Sequence, residues 1–239
     1  MKINLIAASR QRPVRMGKVY RKWLEEANQP SLLKTIISLD NNDPTIEKYF
    51  EILEPIAEYY HSELLIIKNN NLCTVQAINS AKDYIDGDIN LIFSDDTDCP
   101  KYWDTELINF CSTLPEVFVL KVNDGIGKTL ITMPIFSKKY LDSFDYIYNP
   151  SYKHMFCDTE LTCVASLLGC VIEAEHLLFQ HLHHSKMYHD RDSVDDKNQN
   201  TFYSGLKIFK ERLSTNFGLD ISLCKGEIPQ EIKEWVKLN

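Results

Sequence analysis

The chain has 239 residues, of which 44% are hydrophobic and 11% aromatic, and this composition excludes an intrinsically disordered chain. Its length suits one large α/β domain or one domain with a modest C-terminal extension. The formal net charge is −8, which argues against a generic duplex-DNA binder, because such proteins usually carry an excess of Lys and Arg.

Short apolar runs alternate with helical patterns in the first hundred residues. Strands are predicted at Ile3–Ala8, Leu32–Leu39, Glu63–Lys68 and Ile89–Ser94. Helices are predicted over Met16–Ala27, Thr45–Tyr60 and Cys73–Tyr84, and the second of them begins after Asp43-Pro44, a pair typical of a helix cap. This β-α alternation predicts a mostly parallel sheet flanked by helices, with a ligand crevice at the carboxyl ends of its strands.

The pattern changes after residue 100. We predict a helix over Trp103–Ser112 and two strands, Val117–Val122 and Thr129–Ile135, joined by the turn Asn123-Asp124-Gly125. Further on we predict a helix over Asp158–Leu168 that stops at Gly169, a strand over Cys170–Ala174, and helices over Thr201–Phe217 and Gln230–Lys237. The polar segment Lys186–Gln199 is predicted to be a flexible loop.

Polar residues follow each of the first four predicted strands, at Ser9–Arg12, Asp40–Asp43, Asn69–Asn71 and Asp95–Asp98. Carboxylates at Asp96 and Asp98 can reach one cation from the same side, and such oxygen ligands suit Mg²⁺ or Mn²⁺. A cation held by one or two side chains keeps open positions for phosphate oxygens. The alternative is an acidic surface turn.

Two other clusters carry candidate chemistry. Asp158 and Glu160 open a predicted helix, and either could accept a proton from a substrate hydroxyl, although acidic residues in a first helical turn are routine. His181 and His183 share a face on an extended segment, so one of them could complete a metal shell. The alternatives are structural histidines, or a zinc site with Cys157, Cys163 or Cys170, whose spacing matches no familiar pattern.

The seven cysteines include no C-x-x-C pair, which is typical of reduced thiols. The run Ile3–Ala8 is too short for a signal-peptide core, and no segment approaches the length of a membrane span. We therefore expect a cytoplasmic protein.

Several of these motifs resemble those of family 2-like GT-A glycosyltransferases. Ile3–Pro13 resembles their opening strand and Arg-Pro turn, and Asp95–Asp98 resembles their D-x-D motif. Asp158-Thr159-Glu160 is similar to the acceptor-side acidic motif, and His181-Leu182-His183 to a late metal-ligand histidine. The turn Leu39–Asp43 departs from the common Asp-Asp-Gly-Ser.

The resemblance implies a GT-A, Rossmann-like α/β fold with a smaller C-terminal acceptor-side region. It implies one domain over 1–239, with a nucleotide-sugar half at 1–99, a catalytic half at 100–217 and an extension at 218–239. The implied activity is metal-dependent transfer of a sugar, with inversion, from a nucleotide-diphosphate sugar such as a UDP-sugar. The acceptor could be a glycan, a protein, a lipid-linked sugar or a modified nucleobase.

The resemblance also assigns residues to roles. Asp158 or Glu160 is the base, with Asp158 favoured, and Mn²⁺ or Mg²⁺ is held by Asp96, Asp98 and His183. The donor is bound by Ala8, Ser9, Arg10, Arg12, Asp40, Asn79, Asp95 and Asp96.

Two other functions stay open at this point. A sugar nucleotidyltransferase would also use a parallel sheet and acidic metal ligands, but it would want a Gly-rich phosphate loop, and the turn Ser9–Pro13 contains no Gly. A binding module that keeps the glycosyltransferase fold without activity is the non-enzymatic alternative.

Overall fold

The computed structural model describes residues 1–182 and 193–238. Its strands are β1 (Ile3–Ala8), β2 (Leu33–Asp40), β3 (Glu63–Asn69), β4 (Ile89–Ile92), β5 (Thr97–Asp98), β6 (Val119–Asn123), β7 (Ile135–Ser137), β8 (Val171–Leu178) and β9 (Gln180–His181). Its α-helices are α1 (Pro13–Glu26), α2 (Ile46–Tyr60), α3 (Thr74–Asn79), α4 (Trp103–Cys111), α5 (Lys138–Asp142), α6 (Cys157–Leu167), α7 (Ser193–Gln199), α8 (Phe202–Leu213) and α9 (Gln230–Leu238).

Seven strands form one sheet in the order β3-β2-β1-β4-β7-β6-β8, in which β7 alone runs antiparallel to its neighbours. Ile3 of β1 is in register with Leu33 of β2 and with Ile89 of β4. The predicted parallel sheet is therefore confirmed. A separate antiparallel pair joins β5 to β9, with Thr97 opposite His181.

Both faces of the sheet are covered. Alternate β1 side chains point to opposite faces: Ile3 and Leu5 join a core with α1, α2 and α4, whereas Ile6 joins a core with α3, α6 and α8. In the first core Trp23 stacks on Phe179, with ring centroids 5.5 Å apart. Each fully buried large side chain contributes about 1.5–3 kcal/mol through burial.

Close contact between α1 and α2 depends on Gly17. A Cβ at this position would lie 2.3 Å from Cγ2 of Ile52, a branched side chain that cannot easily move aside. We expect Gly17→Ala to lower the free energy of unfolding by about 1–3 kcal/mol, measured by urea denaturation. Gly127→Ala is the matched control, since nothing lies within 4 Å of its Cβ position. Equal stabilities of the two variants would contradict this packing.

Some predicted boundaries are wrong for local reasons. The second helix begins at Ile46, one residue after the predicted Thr45, because the Asp43 carboxylate accepts hydrogen bonds from the backbone N–H and the hydroxyl of Thr45. The third predicted helix ends at Asn79 and is followed by a 3₁₀ turn at Lys82–Tyr84.

The two strands of the predicted hairpin do pair, but the predicted tight turn between them is wrong. β6 and β7 are antiparallel neighbours, but residues 124–134 connect them, and the predicted strand Thr129–Ile135 begins only at Ile135. Of the predicted loop Lys186–Gln199, residues 186–192 lie outside the described residues, and Ser193–Gln199 is helix α7. Across the described ranges, none of the helices combines the length and the apolar character that crossing a membrane requires.

Candidate active site

The turn between β1 and α1 presents two arginines at the carboxyl end of the sheet. Gln11 has a φ of 57°, which is uncommon for a residue with a side chain, and it reverses the chain direction before α1. The guanidinium of Arg10 donates hydrogen bonds to the carboxylate of Asp40 and, at 2.7 Å, to Oδ1 of Asn42. These contacts link the turn to the carboxyl end of β2.

Arg12 links two acidic segments that are distant in sequence. Its Nη1 lies 3.4 Å from Oδ1 of Asp95, and its Nη2 donates to Oδ1 of Asp195 in α7 at 2.9 Å. The side chains of Arg12, Asp95 and Asp195 are largely shielded from solvent. Dissolved salt therefore weakens these ion pairs less than it weakens ion pairs on the surface. Helix α7 is thereby placed beside the strand ends.

A third arginine, Arg15, supports the Asp95–Asp96 turn. Its Nε donates to the backbone oxygen of Asp95 at 2.9 Å, and its Nη2 lies 3.6 Å from Oδ2 of Asp96. The sequence prediction missed Arg15. The signal was present, since Arg12 and Arg15 are three residues apart at the start of a helix and therefore lie on the same side.

Asp96 and His181 form the centre of the cluster. Oδ2 of Asp96 lies 3.3 Å from Nε2 of His181, and Oδ1 of Asp96 accepts a hydrogen bond from the hydroxyl of Ser94. The pairing of β5 with β9 creates this contact, because the backbone N–H of Leu182 donates a hydrogen bond to the backbone oxygen of Asp96 at 2.6 Å. Residues 85 positions apart in the chain are thus held side by side.

The electrostatics of this pair are coupled. Burial alone would raise the pKa of Asp96, but His181, Ser94 and Arg15 outweigh it and hold that pKa well below its ordinary value. Burial alone would lower the pKa of His181, but the hydrogen bond and charge of Asp96 outweigh it, so that pKa is raised. The carboxylate of Asp96 is therefore ionised at neutral pH.

Asp158 and Asp124 complete the acidic surroundings of His181, since both contribute to raising its pKa. Asp158 lies in the first turn of α6, is half-buried, and accepts a hydrogen bond from the backbone N–H of Thr159 at 2.7 Å. Burial raises the pKa of Asp158, which the hydrogen bonds from Thr159 only partly offset. Asp158 therefore combines a partly exposed position with a raised proton affinity of its carboxylate.

Asp124 is a site residue that the sequence prediction treated only as part of a turn. It is buried, and its Oδ1 accepts from the backbone N–H groups of Ile126 and Gly127 at 2.7 and 3.1 Å. Its Oδ2 accepts from the hydroxyl of Thr132. Its backbone oxygen accepts from the N–H of His181 at 2.9 Å, so Asp124 both organises the β6–β7 connection and fixes β9.

Glu160 does not join this cluster. Its carboxylate accepts hydrogen bonds from Nε and Nη2 of Arg212 at 2.7 and 2.8 Å and from the hydroxyl of Tyr152 at 2.8 Å. The side chain is 4% exposed. Its oxygens are engaged in an ion pair that ties α6 to α8, and this arrangement suits a structural role.

Two further predicted residues make contacts elsewhere. The side chain of Asn79 bonds to the backbone of Ile147 and Tyr148, with its oxygen accepting at 2.9 and 2.8 Å and its nitrogen donating at 2.7 Å. Asp98 accepts from the backbone N–H of Cys99 at 2.9 Å, and its charge acts on Lys22. Neither has a described contact with Asp96 or His181.

The metal predictions have a mixed outcome. His183 lies outside the described residues. Within residues 1–182 and 193–238, no group of three or more His, Cys, Asp or Glu side chains is arranged to hold a metal ion. Burial raises the pKa of Cys163 to about 12 and of Cys170 to about 11, which favours neutral thiols over the thiolates that zinc requires. The zinc alternative therefore draws no support from the described residues.

Comparisons with known proteins place the fold. No family model matches the chain, and no curated protein sequence matches it. In contrast, S. aureus TarS matches 93% of the chain with a TM-score of 0.65 at 13% identity, although the chain spans only 41% of the TarS chain. A TarS 1–349 structure in complex with UDP-GlcNAc gives the same score and identity, and 69% of that chain is covered.

A mannosyltransferase matches over almost the whole chain. The mannosyltransferase PcManGT from Pyrobaculum calidifontis, solved in complex with GDP-Man and Mn²⁺, matches 99% of this chain and 83% of its own, with a TM-score of 0.60 at 11% identity. Sequence identities as low as these support a conclusion about the fold alone. The chain therefore has the GT-A glycosyltransferase fold, as its sequence motifs predicted.

Proposed function

We propose that the protein is a metal-dependent glycosyltransferase that moves a sugar, with inversion, from a nucleotide-diphosphate sugar to an acceptor hydroxyl. The observation that carries this proposal is the Asp96–His181 pair at the carboxyl ends of the strands. Asp158 lies close enough to this pair for its charge to raise the pKa of His181. Its position on a GT-A fold, which two neighbours use to bind UDP-GlcNAc or GDP-Man, supports the same conclusion.

Asp96 and His181 suit a shared divalent cation. Their facing atoms lie 3.3 Å apart. Two ligands about 2.1 Å from one cation and at right angles are separated by roughly 3.0 Å. We propose that these two residues hold Mn²⁺ or Mg²⁺, with His181 replacing Asp98 of the sequence prediction. His183 stays a prediction.

The cation would supply one piece of chemistry when bound: it would neutralise the negative charge that develops on the departing nucleoside diphosphate. The chain supplies the rest of the positive charge. Arg12 and Arg15 lie beside the Asp95–Asp96 turn, where the phosphates of the donor would approach. Ala8, Ser9, Arg10 and Asp40 are proposed to frame the nucleotide, with a UDP-sugar as the favoured donor.

Asp158 is proposed as the catalytic base. It would take the proton of the acceptor hydroxyl while that oxygen attacks the anomeric carbon on the face opposite the leaving diphosphate, which inverts the configuration. Its raised pKa favours proton uptake. Glu160 is not proposed as the base, because Arg212 and Tyr152 already occupy its oxygens.

Replacement of Asp158 tests this assignment. We expect Asp158→Asn to reduce the rate of sugar transfer by about 10²–10⁴-fold, because a positioned base contributes that much. The wild-type rate should fall as the pH drops through the raised pKa of Asp158, since the protonated carboxyl cannot act as a base, and this acid limb should vanish in the variant. If the Asp158→Asn variant transferred sugar at the wild-type rate, Asp158 would be excluded as the base.

Product analysis tests the reaction class. The protein is incubated with UDP-GlcNAc and Mn²⁺, and in parallel with a sugar 1-phosphate, UTP and Mg²⁺. Release of UDP in the first reaction supports sugar transfer or the slower hydrolysis of the donor. Pyrophosphate from the second would instead identify a nucleotidyltransferase, and activity in neither would favour the inactive binding module.

A further inference from the structure

We infer that Tyr49, a residue of α2, positions the donor-binding turn between β1 and α1 and directs the hydroxyl proton of Ser9 toward the donor. The inference rests on the proposed function, because the turn is assigned there to the nucleotide-sugar. Tyr49 acts through the turn and is a positioning residue.

The Tyr49 hydroxyl lies between two groups of the turn. Its oxygen is 2.7 Å from Oγ of Ser9 and accepts a hydrogen bond from the backbone N–H of Arg12 at 3.0 Å. The side chain is fully buried, and burial raises the pKa of Tyr49 to about 12, so the hydroxyl keeps its proton at neutral pH. A buried hydroxyl that bridges two such groups is a fixed structural element.

The directions of these hydrogen bonds follow from proton counting. The phenol oxygen accepts from Arg12, and its own proton has Ser9 Oγ as its acceptor among the described residues. Either hydroxyl could donate in this contact; we assign Tyr49 as the donor because its proton has no other acceptor in the described part of the chain, and the proton of Ser9 is then left to donate. Within the described residues Ser9 makes no other side-chain hydrogen bond. Its hydroxyl can therefore donate a hydrogen bond to an oxygen of the ligand, such as a phosphate or ribose oxygen.

The turn needs such support, because its backbone is in a disfavoured conformation. Gln11 has a φ of 57°, in the left-handed region. Its N–H donates to Oδ2 of Asp43 at 2.6 Å, and the next N–H, that of Arg12, donates to Tyr49. Asp43 at the approach to α2 and Tyr49 inside it thus hold two successive amides of the turn.

Fixing these amides fixes the two arginines that the turn carries. Arg10 precedes Gln11 and reaches Asp40, while Arg12 follows it and reaches Asp95 and Asp195. If the Tyr49 hydroxyl is lost, the Arg12 amide loses its hydrogen-bond acceptor, and the Ser9 hydroxyl loses the group that donates a hydrogen bond to it. Donor binding should weaken, whereas the acceptor side, which is built from α6, should not change.

The test compares Tyr49→Phe with Tyr20→Phe. Tyr20 is equally buried in α1, but its hydroxyl lies near Ser62 and Thr35, away from the turn. We expect Tyr49→Phe to raise the Kd for UDP in the presence of Mn²⁺ by about tenfold, or about 1.4 kcal/mol. The KM for the donor should rise while the KM for the acceptor stays constant. Tyr20→Phe should leave all three unchanged.

A second readout does not depend on any ligand. In Tyr49→Phe the amide of Arg12 should exchange with solvent faster than in wild type or Tyr20→Phe, as measured by hydrogen exchange. Ser9→Ala serves if Tyr49→Phe folds poorly: it should weaken UDP binding, and the double variant should lose less than the sum of the single losses.

The outcomes separate the two proposals. Wild type that binds no nucleotide contradicts the proposed function, and the exchange of Arg12 then still decides the role of Tyr49. Wild type that binds UDP, together with Tyr49→Phe that binds it equally well, overturns the inference alone. Unchanged Arg12 exchange in Tyr49→Phe overturns it whatever the nucleotide result.

Discussion

Asp96→Asn is expected to reduce sugar transfer by about 10³-fold or more. The amide keeps the shape of the side chain but removes the charge that pairs with His181, and with it the proposed cation ligand. Loss of metal-assisted charge stabilisation costs several kcal/mol, and each 1.4 kcal/mol is about a factor of ten in rate. Initial rates with saturating Mn²⁺ measure the effect.

Asp98→Asn is the matched control for this prediction. It changes the other carboxylate of the same acidic turn, but Asp98 contacts the backbone of Cys99 and acts on Lys22 rather than on His181. Its activity should stay within a few-fold of the wild type. If Asp98→Asn loses as much activity as Asp96→Asn, then the predicted metal pair of Asp96 and Asp98 is the better one and our replacement of Asp98 by His181 is wrong.

Arg212→Met is expected to destabilise the protein by about 3–5 kcal/mol, because it leaves the Glu160 carboxylate buried without its cation. For a chain of this size the Tm should fall by about 6–20 °C, as measured by calorimetry. Nη2 of Arg212 also donates to the backbone oxygen of Phe217 at 2.8 Å, so the loop after α8 should loosen as well.

Lys207→Met is the matched control, on the same helix. Its ion pair with Glu211 spans 4.0 Å, and both side chains are exposed. Such surface pairs contribute about 0–1 kcal/mol. The double variant Arg212→Met/Glu160→Gln should recover part of the loss, because the buried charge is gone. Equal Tm values for Arg212→Met and Lys207→Met would contradict a structural role for Glu160.

The sequence predicts the sheet well because the first four strands are short apolar runs with polar residues at their ends. β1 matches its predicted bounds, and β2 and β3 differ from theirs by one residue at most at either end. Parallel central strands are buried on both faces, and that burial leaves a clear pattern in the residues. The acidic segment at Asp95–Asp98 was predictable for the same reason, since it begins three residues after the end of β4.

The partners of the acidic residues could not be predicted, because they come from distant parts of the chain. Asp158 and Glu160 look alike in the first turn of a helix, and the contacts of Glu160 with Arg212, 52 residues further on, and with Tyr152 distinguish them. In the same way, His181 reaches Asp96, 85 positions away, only because two short strands of two residues each pair with one another. Strands that short leave no periodic signal.

The most direct test of the account is isothermal titration of UDP-GlcNAc into wild type and Asp96→Asn, each with and without Mn²⁺. We predict that Mn²⁺ tightens binding to wild type by at least about tenfold and has no effect on Asp96→Asn, because in the proposed site the cation would join the donor to that carboxylate. Binding that is equally tight with and without Mn²⁺ in wild type, or a full Mn²⁺ effect in Asp96→Asn, would contradict the proposed site.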